Sequence, residues 1–147
     1  MSREMIHKSI EIDAPRESVW EVLTTPVHAG IWMSEFSEGS HVDGEFGPGE
    51  TFYLKNGEGD GLRGKVTAWA LGERLKIAYD GVLVKGAETP NSPGNAEWNG
   101  CFDAYTLSAN GEKTILAIES FVSGEYAEAT SGLWDKAIQK IKELSEQ

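Results

Sequence analysis

The residues with the most chemical potential in this chain are few and scattered. His7, His28 and His41 stand at intervals that fit no metal-binding pattern: there is no HExxH and no spacing of two histidines with one carboxylate. His28 falls on a short helical stretch, where it could face a cavity mouth or solvent. The single cysteine, Cys101, could act as a nucleophile only if a histidine met it in space; otherwise it is a buried, inert thiol. Glu97, Asn99 and Asp103 share its parity on a strand-like stretch. If that face points inward, these groups give a cavity its polar lining, and if outward they are solvated. Tyr79, Tyr105 and Tyr126 could donate hydrogen bonds to a ligand carbonyl, and Arg63 and Arg74 could either pair with a ligand carboxylate or lie exposed on strands. No two carboxylates stand at a spacing that marks acid–base catalysis. The glycine-rich run 57–61 matches neither GxxxxGK[ST] nor GxGxxG leading into a helix, so it is no phosphate loop. No cofactor and no metal are implied.

A pocket also needs apolar walls. The wall candidates are Trp20, Trp32, Phe36, Phe52, Tyr79, Trp98, Phe102, Tyr105 and Trp134, with Trp69 and Phe121 beside them. Aromatic side chains also dominate ordinary cores, so each has a packing role as an alternative. Trp69 sits out of phase with Val66 and Ala68, which puts it outside. The net charge of −11 disfavours a nucleic-acid surface, because phosphate binding needs clustered Lys and Arg. It equally disfavours anionic membranes. One cysteine excludes an internal disulfide and a multi-cysteine zinc site and fits a reducing cytoplasm, the expected location. The start lacks an apolar signal region, and no run approaches a membrane span in length.

The elements that must position these residues emerge from periodicity. Residues 5–12 alternate, with Ile6, Lys8, Ile10 and Ile12 on one parity, as a half-buried strand does. Asp13 is placed to cap a helix over 15–23, and a second short helix comes next over 27–31. Residues 36–61 are rich in glycine and contain one strand, 50–56. Residues 62–71 and 74–80 form a hairpin about Gly72-Glu73. Residues 84–96 hold two prolines and no period, and read as a loop. Residues 97–108 read as a strand of ambiguous parity, and Asn110-Gly111 turns it into a last strand, 113–122. The tail, 126–147, carries Tyr126, Ala129, Leu133, Ala137, Ile141 and Leu144 at helical steps, widened by Trp134 and Ile138. Within it, either Ser131 caps the true start or Gly132 leaves room beside a cavity. The class is α+β: a curved antiparallel sheet of about six to seven strands around a long C-terminal helix, with two short helices after the first strand.

Several motifs carry a family resemblance. Ile10-Glu11-Ile12-Asp13-Ala14-Pro15, Val19-Trp20 and Trp32 resemble the opening of the START-like superfamily, also called SRPBCC or Bet v 1-like. Gly49-Glu50-Thr51-Phe52, Gly64-Lys65-Val66, Gly72-Glu73-Arg74-Leu75, Tyr79, Gly111-Glu112-Lys113-Thr114 and Gly132-Leu133-Trp134 resemble its branch named after the activator of heat-shock protein 90 ATPase, the AHSA type. In that branch a glycine and a tryptophan usually adjoin in the last helix; here Leu133 separates them. The resemblance implies one START-like domain over residues 1–147, with a helix-grip fold and a hydrophobic cavity. Its eukaryotic co-chaperones carry an additional N-terminal domain, and the expectation here is a chain without it, which sets the co-chaperone reading behind the others.

The expected function is binding of a small hydrophobic or amphipathic molecule, such as a lipid or polyketide, in that cavity. Two alternatives stand beside it. One is a cyclase-, hydrolase- or dehydratase-type enzyme using the same cavity, for which Asp103, His28 and Tyr105 are the groups to test. The other is a co-chaperone-like interaction module. The expected partners are a small molecule first and a chaperone second, with no nucleic acid; pairing of sheet edges would give a homodimer.

Overall fold

A computed structural model describes residues 3–88 and 98–147. In chain order these form β1 (Arg3–Ile12), α1 (Arg16–Thr24), α2 (Pro26–Met33), β2 (His41–Asp43), β3 (Thr51–Lys55), β4 (Gly61–Ala70), β5 (Arg74–Val84), β6 (Ala87–Glu88), β7 (Phe102–Asn110), β8 (Lys113–Ser123) and α3 (Ala127–Ser145). The sheet is antiparallel throughout, in the order β1-β8-β7-β5-β4-β3-β2, with β6 paired to β5. The eight strands curve around α3, and α1 and α2 close one end, so the helix-grip architecture expected from the sequence is present.

Alternation explains the inner face. Leu75, Ile77, Tyr79 and Leu83 on β5, and Leu116, Ile118, Ser120 and Val122 on β8, are all buried. Ile6 and Ile12 do the same on β1. The stripe of α3 lies partly where the spacing placed it and is partly turned. Its buried face is Ala127, Trp134, Ala137, Ile138, Ile141 and Ser145, whereas Tyr126 and Ala129 are exposed. Ser131 caps nothing, because the helix already begins at Ala127, and Gly132 is exposed with open space where a Cβ would be.

Three other local expectations change. Asp13 does not cap α1; the position before the helix is Pro15, and the Asp13 N–H donates to Glu146 Oε2 at 2.8 Å, tying the end of β1 to the end of α3. The β4–β5 ladder carries two register shifts: between Arg63 and Gly64 the extra residue is Asp80 of β5, and between Val66 and Ala68 it is Thr67 of β4. An extra residue in a strand reverses the facing of the positions beyond it. Trp69 therefore packs on the core, with its ring 5.0 Å from that of Trp20, rather than lying outside. Gly64 sits where this strand passes Phe52, and a Cβ there would stand 2.7 Å from Phe52 Cζ. Finally, β7 starts at Phe102 rather than at 97, and the short strands β2 and β6 interrupt stretches that read as loops. Glu97, and residues 89–96 of the expected loop, lie outside the described residues.

Candidate functional site

Between the sheet, α2 and α3 lies a cavity of about 590 Å³. That is the size range of small-molecule pockets. Trp32 and Phe36, Tyr79 on β5, Tyr105 on β7, Trp134 on α3, and Trp98 line it together. Trp32 is fixed by its own indole, whose Nε1–H donates to the Val22 carbonyl at 3.0 Å and locks α2 onto α1. Its ring then packs 6.1 Å from Trp134 and 6.2 Å from Tyr105, while Phe36 meets Trp134 edge-on at 4.8 Å and Trp98 meets Tyr79 at 5.9 Å. Leu54, Leu62, Val82, Leu83 and Val122 complete the apolar wall.

Three of the expected wall residues are elsewhere. Trp20 pairs with Trp69, beside the β4–β5 turn, at the opposite end of those strands from the cavity. Phe52 packs against Phe46, with ring centroids 4.7 Å apart. Phe102 points to the other face of the sheet, where it pairs with Phe121 directly across the ladder and lies under Lys76 Nζ at 4.2 Å. That outer aromatic pair is why the parity of this strand could not be read from sequence: both faces carry large apolar side chains.

The inward face of β7 carries Asp103, Tyr105 and Leu107, so Asp103 opens into the cavity. Its neighbours are set by register. Ser120 on β8 is directly opposite, and its hydroxyl donates to Asp103 Oδ1 at 2.6 Å. On the other side Asp103 opposes Ile77, and Tyr79, two residues further along β5, reaches diagonally to donate its hydroxyl to Oδ2 at 2.6 Å. Each carboxylate oxygen thus accepts one hydroxyl and keeps a further lone pair. Burial pushes the Asp103 carboxyl above its ordinary range, and the bonds from Ser120 and Tyr79 oppose that rise. Burial first, and then the nearby Asp103 carboxylate, drive the Tyr79 and Tyr105 phenols well above theirs. Asp103 is partly exposed by surface area, and the open side faces the cavity.

The rim is polar: Ser37, Ser40, His41, Lys55, Asn56 and Asp60. Two of its charges are already engaged. Lys55 pairs with Asp43 at 2.9 Å, and Asp60 Oδ1 accepts the Lys85 N–H at 2.9 Å. Thr130 is the polar contribution of α3.

The remaining candidates are not at the cavity. Cys101 is buried behind the lining, where its carbonyl accepts the Tyr79 N–H at 2.9 Å. Asn99 is exposed, and its carbonyl accepts Arg3 Nη2 at 2.6 Å. Arg63 is bound to Asp80 and Glu88, and Arg74 to the Thr106 hydroxyl. Tyr126 and His7 are exposed. His28 is half-buried, its Nδ1 enclosed with no hydrogen-bond partner among the described residues. Among the described residues no group of His, Cys, Asp or Glu could hold a metal ion, and no helix is long and apolar enough to cross a membrane.

With this geometry in view, residues 4–137 match the family described as polyketide cyclase/dehydrase and lipid transport. The chain belongs to that family. The START-like relationship read from the sequence motifs is therefore shown. Solved structures agree on the fold. Protein MLL2253 from Mesorhizobium loti superposes with a TM-score of 0.75 at 18% identity, covering 96% of each chain. An Aha1 dimer from Colwellia psychrerythraea gives 0.72 at 18% identity, covering 97% of this chain and 96% of that one. DynU16, a protein of the dynemicin biosynthetic locus, gives 0.68 at 18% identity and covers 95% of this chain; the chain spans only 46% of DynU16. No curated protein matches the sequence.

Proposed function

We propose that this protein, acting as one START-like domain over residues 1–147, encloses a small amphipathic molecule. The guest's apolar body lies against Trp32, Phe36, Trp98 and Trp134, and its polar end reaches Asp103. The observation that carries this reading is the cavity of about 590 Å³, aromatic on its walls, with the sheet as its floor, from which the hydrogen-bonded carboxylate of Asp103 faces in. Apolar area removed from water contributes about 25 cal/mol per Å², before ordering costs are subtracted. The family's association with polyketides and lipids supports the same class of guest. The test is titration with fatty acids, flavonoids and aromatic polyketides, following tryptophan emission and melting temperature. Three of the five tryptophans line the cavity, so a bound guest shifts the emission. Silence from every one of these classes, and from simple aryl-alkyl amines, alcohols and acids as well, refutes the reading.

An enzymatic reading has one specific observation in its favour. A carboxyl with a raised pKa faces the cavity, between two hydroxyls that can relay a proton. Turnover of a bound polyketide or lipid that is lost in D103N would establish it; binding without turnover would leave the protein a carrier.

A further inference from the structure

The floor of the cavity has a charge requirement that its walls do not. Among the described residues Asp103 receives two hydroxyl donors and no cation: the one cationic side chain in the lining, Lys55, is held by Asp43 at the rim, and no arginine lines the cavity. The titratable groups facing it are Tyr79 on β5 and Tyr105 on β7, both held neutral by burial. From α2 and α3 it meets the apolar side of the cavity, lined by Trp32, Met33, Trp134 and Thr130, which carry no charge. His41, Lys55 and Asp60 stand at the rim. A carboxylate taken out of water is stable when a cation and hydrogen bonds compensate it. Here the hydrogen bonds are built in and the cation is not. Each oxygen retains a lone pair, and Trp32, Trp98 and Trp134 line the same cavity, a combination of carboxylate and aromatic rings that favours an ammonium group over a neutral one.

We propose that the cavity selects organic cations: an amphipathic primary or secondary amine whose ammonium donates to Asp103 while its apolar body fills the aromatic chamber. This rests on the reading of the cavity as a guest site and adds the guest's charge. Tyr79 and Ser120 are positioning residues that hold the carboxylate facing the guest.

The experiment compares phenylbutylamine, phenylbutanol and phenylbutyrate, three guests of one shape and different charge, by calorimetry on the full chain at neutral pH. The expected order is amine, then alcohol, then carboxylate, with the amine at least about tenfold tighter than the alcohol, the scale of one charge-assisted hydrogen bond over a neutral one. D103N, which preserves side-chain volume, abolishes the gap between amine and alcohol. A second measurement needs no variant. As pH falls and Asp103 takes up its proton, the amine's affinity falls while the alcohol's holds, and amine binding at low pH releases a proton, seen as a heat that depends on the buffer. Equal binding of amine and alcohol, or a preference that survives in D103N or at low pH, overturns the charge selection and leaves the guest site standing. Failure of all three guests, together with silence from the lipid and polyketide panel, overturns both.

Discussion

Trp134 and Trp20 make a matched pair of perturbations. Both are buried tryptophans, at 2% and 7% exposure, and both have aromatic partners. Of the two, Trp134 lines the cavity and Trp20 does not. Truncating a buried Trp to alanine costs about 3–5 kcal/mol, from lost transfer energy and the void left behind. Trp134 loses contact with Trp32, Phe36 and Tyr105 at once, which argues for the upper part of that range. Its void, however, merges with an existing chamber that solvent can enter, which brings the cost back to about 3 kcal/mol. For a chain of this size that is a fall of roughly 6–12 °C in melting temperature. Trp20→Ala falls by a similar amount, because it strands Trp69. The two variants separate when a guest is present. Trp20→Ala keeps the guest-induced rise in melting temperature, and Trp134→Ala loses most of it. Differential scanning fluorimetry with and without guest reads both effects in one experiment. If Trp20→Ala blunts the guest response as much as Trp134→Ala, the guest is not in this cavity. Total stabilities are only about 5–15 kcal/mol, so Trp134→Phe serves where the alanine variant does not fold.

Two further outcomes rest on the geometry. The folded-state pKa of Asp103 lies above its ordinary 3.8, so the folded chain holds this proton to higher pH than the unfolded chain. Stability attributable to Asp103 therefore falls as pH rises from about 4 through the folded pKa and is flat above it; urea midpoints of wild type minus D103N across this range give the slope, and a difference that grows with pH contradicts it. Gly132→Ala, on the exposed side of α3 where a Cβ meets nothing within 4 Å, stabilises by up to about 1 kcal/mol in chemical denaturation, and a loss of stability or of guest binding would show that the position faces something after all.

Much of the fold was legible because its elements repeat a period. The alternation of β1, the β4–β5 hairpin and the Asn110-Gly111 turn all stand close to where the pattern put them. What the pattern missed are interruptions of period. The extra residue Thr67 in β4 turned Trp69 inward, and no residue type there announces an extra position in the ladder. Strand β2 is three residues long, too short to show alternation. The tail helix was recognised, but Tyr126 and Ala129, counted into its stripe and exposed in the fold, displaced the inferred centre from the true one through Trp134, Ala137, Ile138 and Ile141. The site was legible in its aromatic walls and only conditionally in its chemistry. Asp103 was visible as a polar lining if its face turned in, yet Phe102 and Phe121 on the opposite face masked the direction. Ser120 carried no signal, because one serine in an apolar strand becomes informative only once the register sets it against Asp103.

Asp103, Tyr79 and Ser120 belong to three neighbouring strands in the middle of the sheet. The bonds that would hold a guest's polar end therefore also stitch the scaffold, and altering them weakens both together. The rim is different at Ser37, which is exposed on the connection after α2 and can be exchanged at little cost to folding, whereas Asn56 Oδ1 accepts the N–H groups of Glu58 and Asp60 and anchors the β3–β4 turn. Descendants of this chain would change which guests they admit at the doorway long before they change what the floor demands.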